Sequence, residues 1–334
     1  MTPTLEDVAK RAGVSTATVS RCLNAPEKVV EATRARVMEA VDALGYSPHF
    51  GARVMAANRT NTIGAIVPTM ENAIFAEGLQ AFQETLSAGG YDLLLASSSY
   101  QPEQEAAQIR SLIARGADGL LLIGHERAPG IDAFLAQRGL PVVAAWAHNA
   151  AAALPSVGFD NYSAMHRLAD EVVALGHRRI AYITAPVAEN DRARARLKAV
   201  QDAVRGAGLE AHGLRVSETT YGIEQGGDAF AALMDLPDPP TAVMCANDVL
   251  AVGALTRAHQ MDLRVPQDVS ITGFDDMALA RVVRPALTTV RVPHRRMGIA
   301  AARQLISMIE DSAPPASVLI ETSLIRRESL APPE

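Results

Sequence analysis

Val14-Ser-Thr-Ala-Thr-Val-Ser-Arg-Cys-Leu-Asn24 is the stretch on which the reading of the chain turns. Ser15 is a natural N-cap, because its hydroxyl can accept one of the unpaired amides of a first helical turn. Val19 and Leu23 then fall on one face at i, i+4. Thr16, Ala17, Thr18, Ser20 and Arg21 stay off that face and are small, hydroxylated or cationic. Upstream, Leu5, Val8, Ala9 and Ala12 recur at helical spacing and stop at Gly13, where a turn between two helices requires a residue at ease with positive φ. A helix-turn-helix needs this division. Its second helix packs apolar residues on the first, short side chains allow close approach to a DNA major groove, and one long donor reads a base edge. An isolated two-helix pattern reads better as an ordinary capped surface helix in a helical domain, so the residues beyond Asn24 decide.

Those residues hold a third helical pattern, Glu31 to Leu44, with Val37, Val41 and Leu44 as its stripe, Arg34 and Arg36 beside it and Gly45 at its end. The segments Thr4-Leu-Glu-Asp-Val-Ala-Lys-Arg-Ala-Gly-Val-Ser15, Thr18-Val-Ser-Arg21 and Ala43-Leu-Gly-Tyr-Ser-Pro48 complete the pattern. With them the chain resembles the lactose-repressor (LacI/GalR) family of bacterial transcription regulators, and the likeness runs on through its whole length. The resemblance implies a homodimer on a near-palindromic operator whose half-sites lie about one helical turn apart. On this reading Thr16, Ala17 and Arg21 face base edges, Ser15, Thr18 and Asn24 sit on phosphates, and Thr4 and Ser20 belong to the same DNA-facing surface.

At 334 residues the chain is long for one compact domain, and 49% hydrophobic with 20% charged residues is an ordinary globular composition. Its net charge of −6 argues at first against a nucleic-acid partner, but the distribution reverses that. Residues 1–60 hold eight Lys/Arg against six Asp/Glu, a charge of +2, and the remainder carries 23 against 31, or −8. Two cysteines, Cys22 and Cys245, are too few for a disulfide framework and offer no metal spacing. No apolar run approaches the roughly 20 residues of a membrane span, and the start lacks the basic and apolar regions of a signal peptide, so a cytoplasmic protein without a membrane partner is expected. Phosphate loops, nucleophile elbows and paired histidines at metal spacing are missing, which disfavours an enzyme; no cofactor is expected.

Residues 47–60 form a linker. Pro48 can open a helix in which Ala52, Met55 and Ala56 make a narrow stripe. The family resemblance implies a hinge helix that orders beside its twin on DNA and inserts an apolar wedge into the minor groove. Met55 stands where the usual leucine would be, a softer wedge, with Ala52 beside it.

From Asn61 onward short apolar strands alternate with helices. Strands are expected at Thr62–Val67, Tyr91–Ala96, Gly119–Ile123, Val142–Ala145, Val157–Phe159, Ile180–Thr184, Ala242–Ala246, Val269–Phe274 and Thr288–Val292. This β-α-β rhythm predicts an α/β class with parallel sheets covered on both faces. The resemblance adds the architecture: a three-helix headpiece (1–46), the hinge (47–60), and a two-lobed core like a periplasmic binding protein (61–330). One lobe would take about 61–160 and 293–320, the other about 161–290 and 321–330.

Ligands of open parallel sheets bind at the carboxyl ends of the strands, where two lobes share a cleft. Thr69 and Asn72 follow the first strand, with Phe75 on the next helix; Asp160 lies at the crossing, Asn247 after Cys245 and Asp275 after Phe274. Arg192 and Arg196 lead a helix after Thr184, and the family resemblance implies aromatic pocket positions at Phe75 and Tyr221. Amides and carboxylates grip hydroxyls and an arginine fork takes carboxylate or ring oxygens. Equally, Asn247 fits a helix cap and Asp275 a turn. The resemblance favours Arg196, Asn247 and Asp275 as effector contacts, and within the family the chain is most similar to the gluconate-utilisation repressors. The expectation is therefore a transcription regulator, a repressor controlled by a sugar or sugar acid. The alternatives are a nucleobase-responsive corepressed regulator of the same family, a solute-binding protein, and a small-molecule α/β enzyme.

Overall fold

The computed structural model describes residues 3–47, 59–71, 73–209, 214–311 and 314–334, and of Asn24 the backbone alone. The hinge residues Ala52 and Met55, and Asn72, lie outside the described residues. The chain divides into two units, Met1–Thr60 and Asn61–Glu334.

The first unit is built on α1 (Leu5–Ala12), α2 (Thr16–Asn24) and α3 (Glu31–Leu44), with a 3₁₀ turn at Pro26–Lys28 that the sequence pattern did not announce. Thr4 and Asp7 close a capping box on α1: Thr4 Oγ1 accepts the Asp7 amide at 3.3 Å, and the Asp7 carboxylate accepts the Thr4 amide at 2.9 Å. Gly13 sits at φ +65°, and Ser15 Oγ accepts the Thr18 amide at 3.2 Å, so the turn reverses the chain at a glycine and starts α2 at a serine. Val8, Ala9 and Ala12 pack on Val19 and Cys22 of α2 and on Val37, Ala40 and Val41 of α3. Leu23, expected on the buried face, is only half-buried, and Cys22 takes the inner position.

The second unit contains two parallel sheets. The larger runs β11–β5–β4–β3–β1–β2, from β1 (Thr62–Val67), β2 (Asp92–Ser97), β3 (Gly119–Ile123), β4 (Val142–Ala145), β5 (Ser156–Gly158) and β11 (Val318–Leu319). All residues of β1 and β3 are buried, as continuous apolar runs covered on both faces require. Its helices are α4 (Ala76–Ala88), α5 (Pro102–Ala114), α6 (Ile131–Arg138) and α12 (His294–Glu310). The smaller sheet runs β7–β6–β8–β9, from β6 (Ile180–Thr184), β7 (Arg215–Glu218), β8 (Ala242–Cys245) and β9 (Ser270–Thr272). Around it lie α7 (Asn161–Ala174), α8 (Asp191–Gly206), α9 (Ile223–Met234), α10 (Asp248–Gln260) and the short α11 (Leu279–Val282). β10 (Thr289–Arg291) pairs antiparallel with β12 (Ser323–Ile325), and single bridges Thr272–Thr288 and Asp275–Arg291 extend from β9 to the β10 segment.

The chain thus passes between the two lobes three times: before α7, between β10 and α12, and between β11 and β12. α12 returns to pack on α4, and the two helices meet at glycines, since a Cβ on Gly298 would overlap the Gly78 carbonyl. His177 is buried; its Nε2 lies 2.9 Å from the Ala331 carbonyl and its Nδ1 2.9 Å from Thr241 Oγ1, so it ties residues around Ala331 to the smaller-sheet lobe. None of the helices among the described residues is long and apolar enough to cross a membrane.

Candidate functional sites

In the first unit, α2 presents Thr16, Ala17 and Arg21 to solvent, while Thr18 and Ser20 are half-buried at the flanks. Val19 and Cys22 are buried beneath them. Ser15 and Thr18 are partners, with their hydroxyls 2.9 Å apart and the Thr18 amide on Ser15 Oγ, so their first role is to hold the amino end of α2. Thr4 likewise caps α1. The surface so produced is a short-side-chain helix face with one long cation at its middle, the shape a major groove admits.

In the second unit the carboxyl ends of the strands face each other across a narrow cleft. Phe75, Arg192, Arg196, Tyr221 and Asp275, five of the residues singled out from sequence, line it together. Phe75 is buried and packs edge-to-face on Trp146, ring centroids 5.3 Å apart. Arg196 is 6% exposed; its guanidinium donates to Tyr221 Oη at 3.3 Å and lies 4.8 Å from the Phe274 ring centroid, while its Nε has no partner. Burial works against its charge, but Tyr221, Tyr182 and Asp275 together more than offset this. Asp275 is 3% exposed and its Oδ2 has no partner. Burial pushes its pKa up to about 6 despite the nearby Arg196. His294, at the start of α12 in the other lobe, places Nε2 3.6 Å from Asp275 Oδ1; burial pushes its pKa down to about 4.

The loop carrying Asp275 is held in an uncommon backbone conformation, φ +106° at Asp275 and +56° at Asp276. Asp248 accepts the Met277 amide at 2.7 Å and the Thr289 hydroxyl at 2.6 Å, and Asp276 accepts Arg291 Nε at 2.6 Å and also binds Arg327. These buried carboxylates hold the loop with Asp275 at the cleft.

Three sequence candidates do other work. Thr69 is outside the cavity lining, and its hydroxyl accepts the Glu71 amide at 3.1 Å. Asp160 is exposed and caps α7, accepting the Ser163 amide at 3.0 Å and the Ser163 hydroxyl. Its neighbour Asn161 lines the cleft in its place, donating Nδ2 to the Trp146 carbonyl at 3.0 Å and leaving Oδ1 unpaired. Asn247 is 1% exposed and caps α10, accepting the Leu250 amide at 3.0 Å. Asp160 and Asn247 cap helices for one reason: an acceptor after a strand is as readily taken by the next helix's unpaired amides as by a ligand. Asn247→Ala should therefore lower unfolding free energy by about 1 kcal/mol. Asn247→Ser, which keeps an acceptor, should recover much of that in chemical denaturation.

Sequence reading missed Tyr100, Trp146 and Asn190, all in the lining. Trp146, the chain's single tryptophan, and Tyr100 both adopt positive φ, +61° and +59°, a conformation rare for bulky residues and not readable from sequence. Rarity of tryptophan was the one available signal.

Both units match known protein families. Residues 4–49 match the family described as bacterial regulatory proteins, lacI family, and residues 169–330 match a periplasmic binding protein-like domain. The chain is 36% identical to the HTH-type transcriptional repressor CytR of Escherichia coli over 98% of its own length and 96% of the relative's. It is 34% identical to the HTH-type transcriptional regulator GntR of the same organism, with 92% of each covered. Among solved structures, a LacI-family transcriptional regulator from Silicibacter pomeroyi superposes with a TM-score of 0.90 at 25% identity, covering 98% of this chain and 99% of that one.

Proposed function

Because the chain belongs to the lacI family of bacterial regulatory proteins, we propose that it is a homodimeric, cytoplasmic repressor whose operator affinity is set by a small polar effector held between the lobes of its core. The observation that carries this is the set of buried, unpaired polar atoms at one cleft: Arg196 Nε, Asp275 Oδ2 and Asn161 Oδ1. Such atoms cost free energy unless a ligand pairs with them. In this reading Arg196 and Arg192 contact acidic or ring oxygens, and Asp275 and Asn161 take hydroxyls of a sugar or sugar acid. Effector binding shifts the lobes, changes the separation of the paired hinges and lowers DNA affinity; by linkage, DNA weakens effector binding by the same factor.

One observation favours a second effector class. Phe75, Trp146, Tyr100 and Tyr221 surround the cleft with aromatic rings, and Tyr100 and Tyr221 stand 5.9 Å apart. Flat faces suit a heterocycle as well as the apolar face of a sugar, so nucleosides and nucleobases belong in the same screen. Trp146 fluorescence, titrated with gluconate, other sugars and nucleosides, separates the classes, and retardation of the protein's own promoter DNA with and without each hit tests the regulatory role. A protein that retards no promoter fragment would overturn the reading.

At the DNA, Arg21 is assigned the bidentate base contact. Arg21→Ala is expected to weaken cognate binding by on the order of 1–3 kcal/mol and to relax preference at one base pair of each half-site. Full discrimination retained at every position of the site, measured by competition with single-base variants, would remove Arg21 from that role.

A further inference from the structure

The two lobes also touch beside the effector cleft, where Arg192 belongs to both the cleft and the contact. The loop 124–127 after β3 belongs to the lobe of the larger sheet, and α8 begins in the other. Arg127 stiffens this loop from within: its side chain is 2% exposed, it donates to the Gly124 and Glu126 carbonyls at 2.7 Å each, and its Nε lies 3.5 Å from Glu105 on α5. The loop then meets α8. The Asp191 carboxylate accepts the His125 amide at 2.7 Å and the Arg192 guanidinium at 2.9 Å, and the Arg194 guanidinium grips Glu126. Gly124, at φ +71°, leaves room for the side chains of α8, since a Cβ there would overlap the Arg192 guanidinium and crowd the Asp191 carboxylate.

Position gives these bonds leverage. The crossings flank β5 and β11 at one edge of the larger sheet, whereas β3 lies three strands in from β11. Opening about the crossings must separate Asp191 from His125. We propose that loop 124–127 and the start of α8 form a clasp between the lobes, and that its strength sets the lobe separation on which any effector then acts. Its consequence for DNA rests on the effector-responsive reading; the clasp itself does not. Within it, the Asp191–His125 bond is charge-assisted and largely shielded, while the Arg194–Glu126 pair, 48% and 37% exposed, is the weaker and more salt-sensitive part.

Trp146 reports on the cleft without labelling, being the single tryptophan and 3% exposed. Acrylamide quenching of the full-length, ligand-free protein is expected to rise at least about twofold in Asp191→Ala, and by less in Glu126→Gln, with red-shifted emission and unchanged far-ultraviolet circular dichroism. Arg257→Gln, which breaks the surface pair with Asp228, serves as control and should leave quenching unchanged. Parental quenching in both clasp variants, or an equal rise in the control, would overturn the clasp. Because Glu126 is 37% exposed and Gln keeps its shape, Glu126→Gln is the milder change and keeps the test decisive should Asp191→Ala fail to fold. A failed effector screen would leave this result standing.

Discussion

Asp275→Asn is expected to make the ligand-free protein more stable near pH 7.5 while removing its response to effector. Burial pushes this carboxyl from its ordinary 3.8 up to about 6 even with Arg196 nearby, so the charged form burdens the folded state. At about 1.4 kcal/mol per unit the burden is roughly 3 kcal/mol, and an amide that is itself partly unpaired recovers about 2 kcal/mol of it. For a unit of this size that is a rise in melting temperature of about 4 °C. The pH dependence identifies the cause. Asp275 has a raised folded pKa, so its burden is present above about pH 6 and is relieved as pH falls towards 4. The gain from the substitution should therefore shrink below pH 6 and vanish near pH 4. His294 acts oppositely: with a folded pKa near 4, it contributes stability above its unfolded value that is lost as pH falls from about 6.5 to 4. In the parent the two trends offset between pH 6 and 4; in Asp275→Asn only the loss remains. A variant no more stable than the parent at pH 7.5 would mean the carboxylate is satisfied by groups of the fold itself.

Arg196→Ala should leave operator binding intact and abolish the response, a permanently repressing protein. The fork supplies two or more donors to the cleft, and charge-assisted bonds contribute about 1.5–3 kcal/mol each. Losing them should weaken effector binding at least about 100-fold. The recognition surface on α2 lies in the other unit and keeps its own core of Val8, Val19 and Val37. Titration of the operator complex with the ligand found by screening checks both halves. A variant that still dissociates normally would move the effector site elsewhere. One whose operator complex tightens on ligand addition would reverse the sign of regulation.

The fold was legible where burial is two-sided. Thr62–Val67, Gly119–Ile123, Val142–Ala145 and Ile180–Thr184 are strands at the expected residues because a continuous apolar run has few other places to go. β7 was not anticipated, since Arg-Val-Ser-Glu is an edge strand with largely exposed side chains and no apolar run. Four-residue α11 is too short for any period to register. In the cleft, charge and aromaticity pointed to Phe75, Arg196 and Asp275 and the family resemblance to Tyr221, but Thr69, Asp160 and Asn247 carried the same chemistry into local hydrogen bonds. Which acceptor a ligand meets depends on which helix amides lie nearer, a distance the sequence does not encode. Trp146 entered the site through the backbone, at a φ that no local pattern foretells.

The triple passage of the chain between lobes bears on how the molecule is made. Synthesis delivers β1 to β5 first, yet α12, which covers α4, and β11, which completes the sheet edge beside β5, come from residues 294–319. The first lobe to leave the ribosome is thus the one that waits longest for its parts, holding Phe82 and Leu86 without the Ala301, Ala302 and Leu305 that share their cluster. The lobe of the smaller sheet emerges between these parts and is nearly complete before its neighbour closes. Translation that stalls before residue 294 would leave an apolar helix face and an unpaired strand edge open to association, which makes the nascent chain a natural client for holding chaperones.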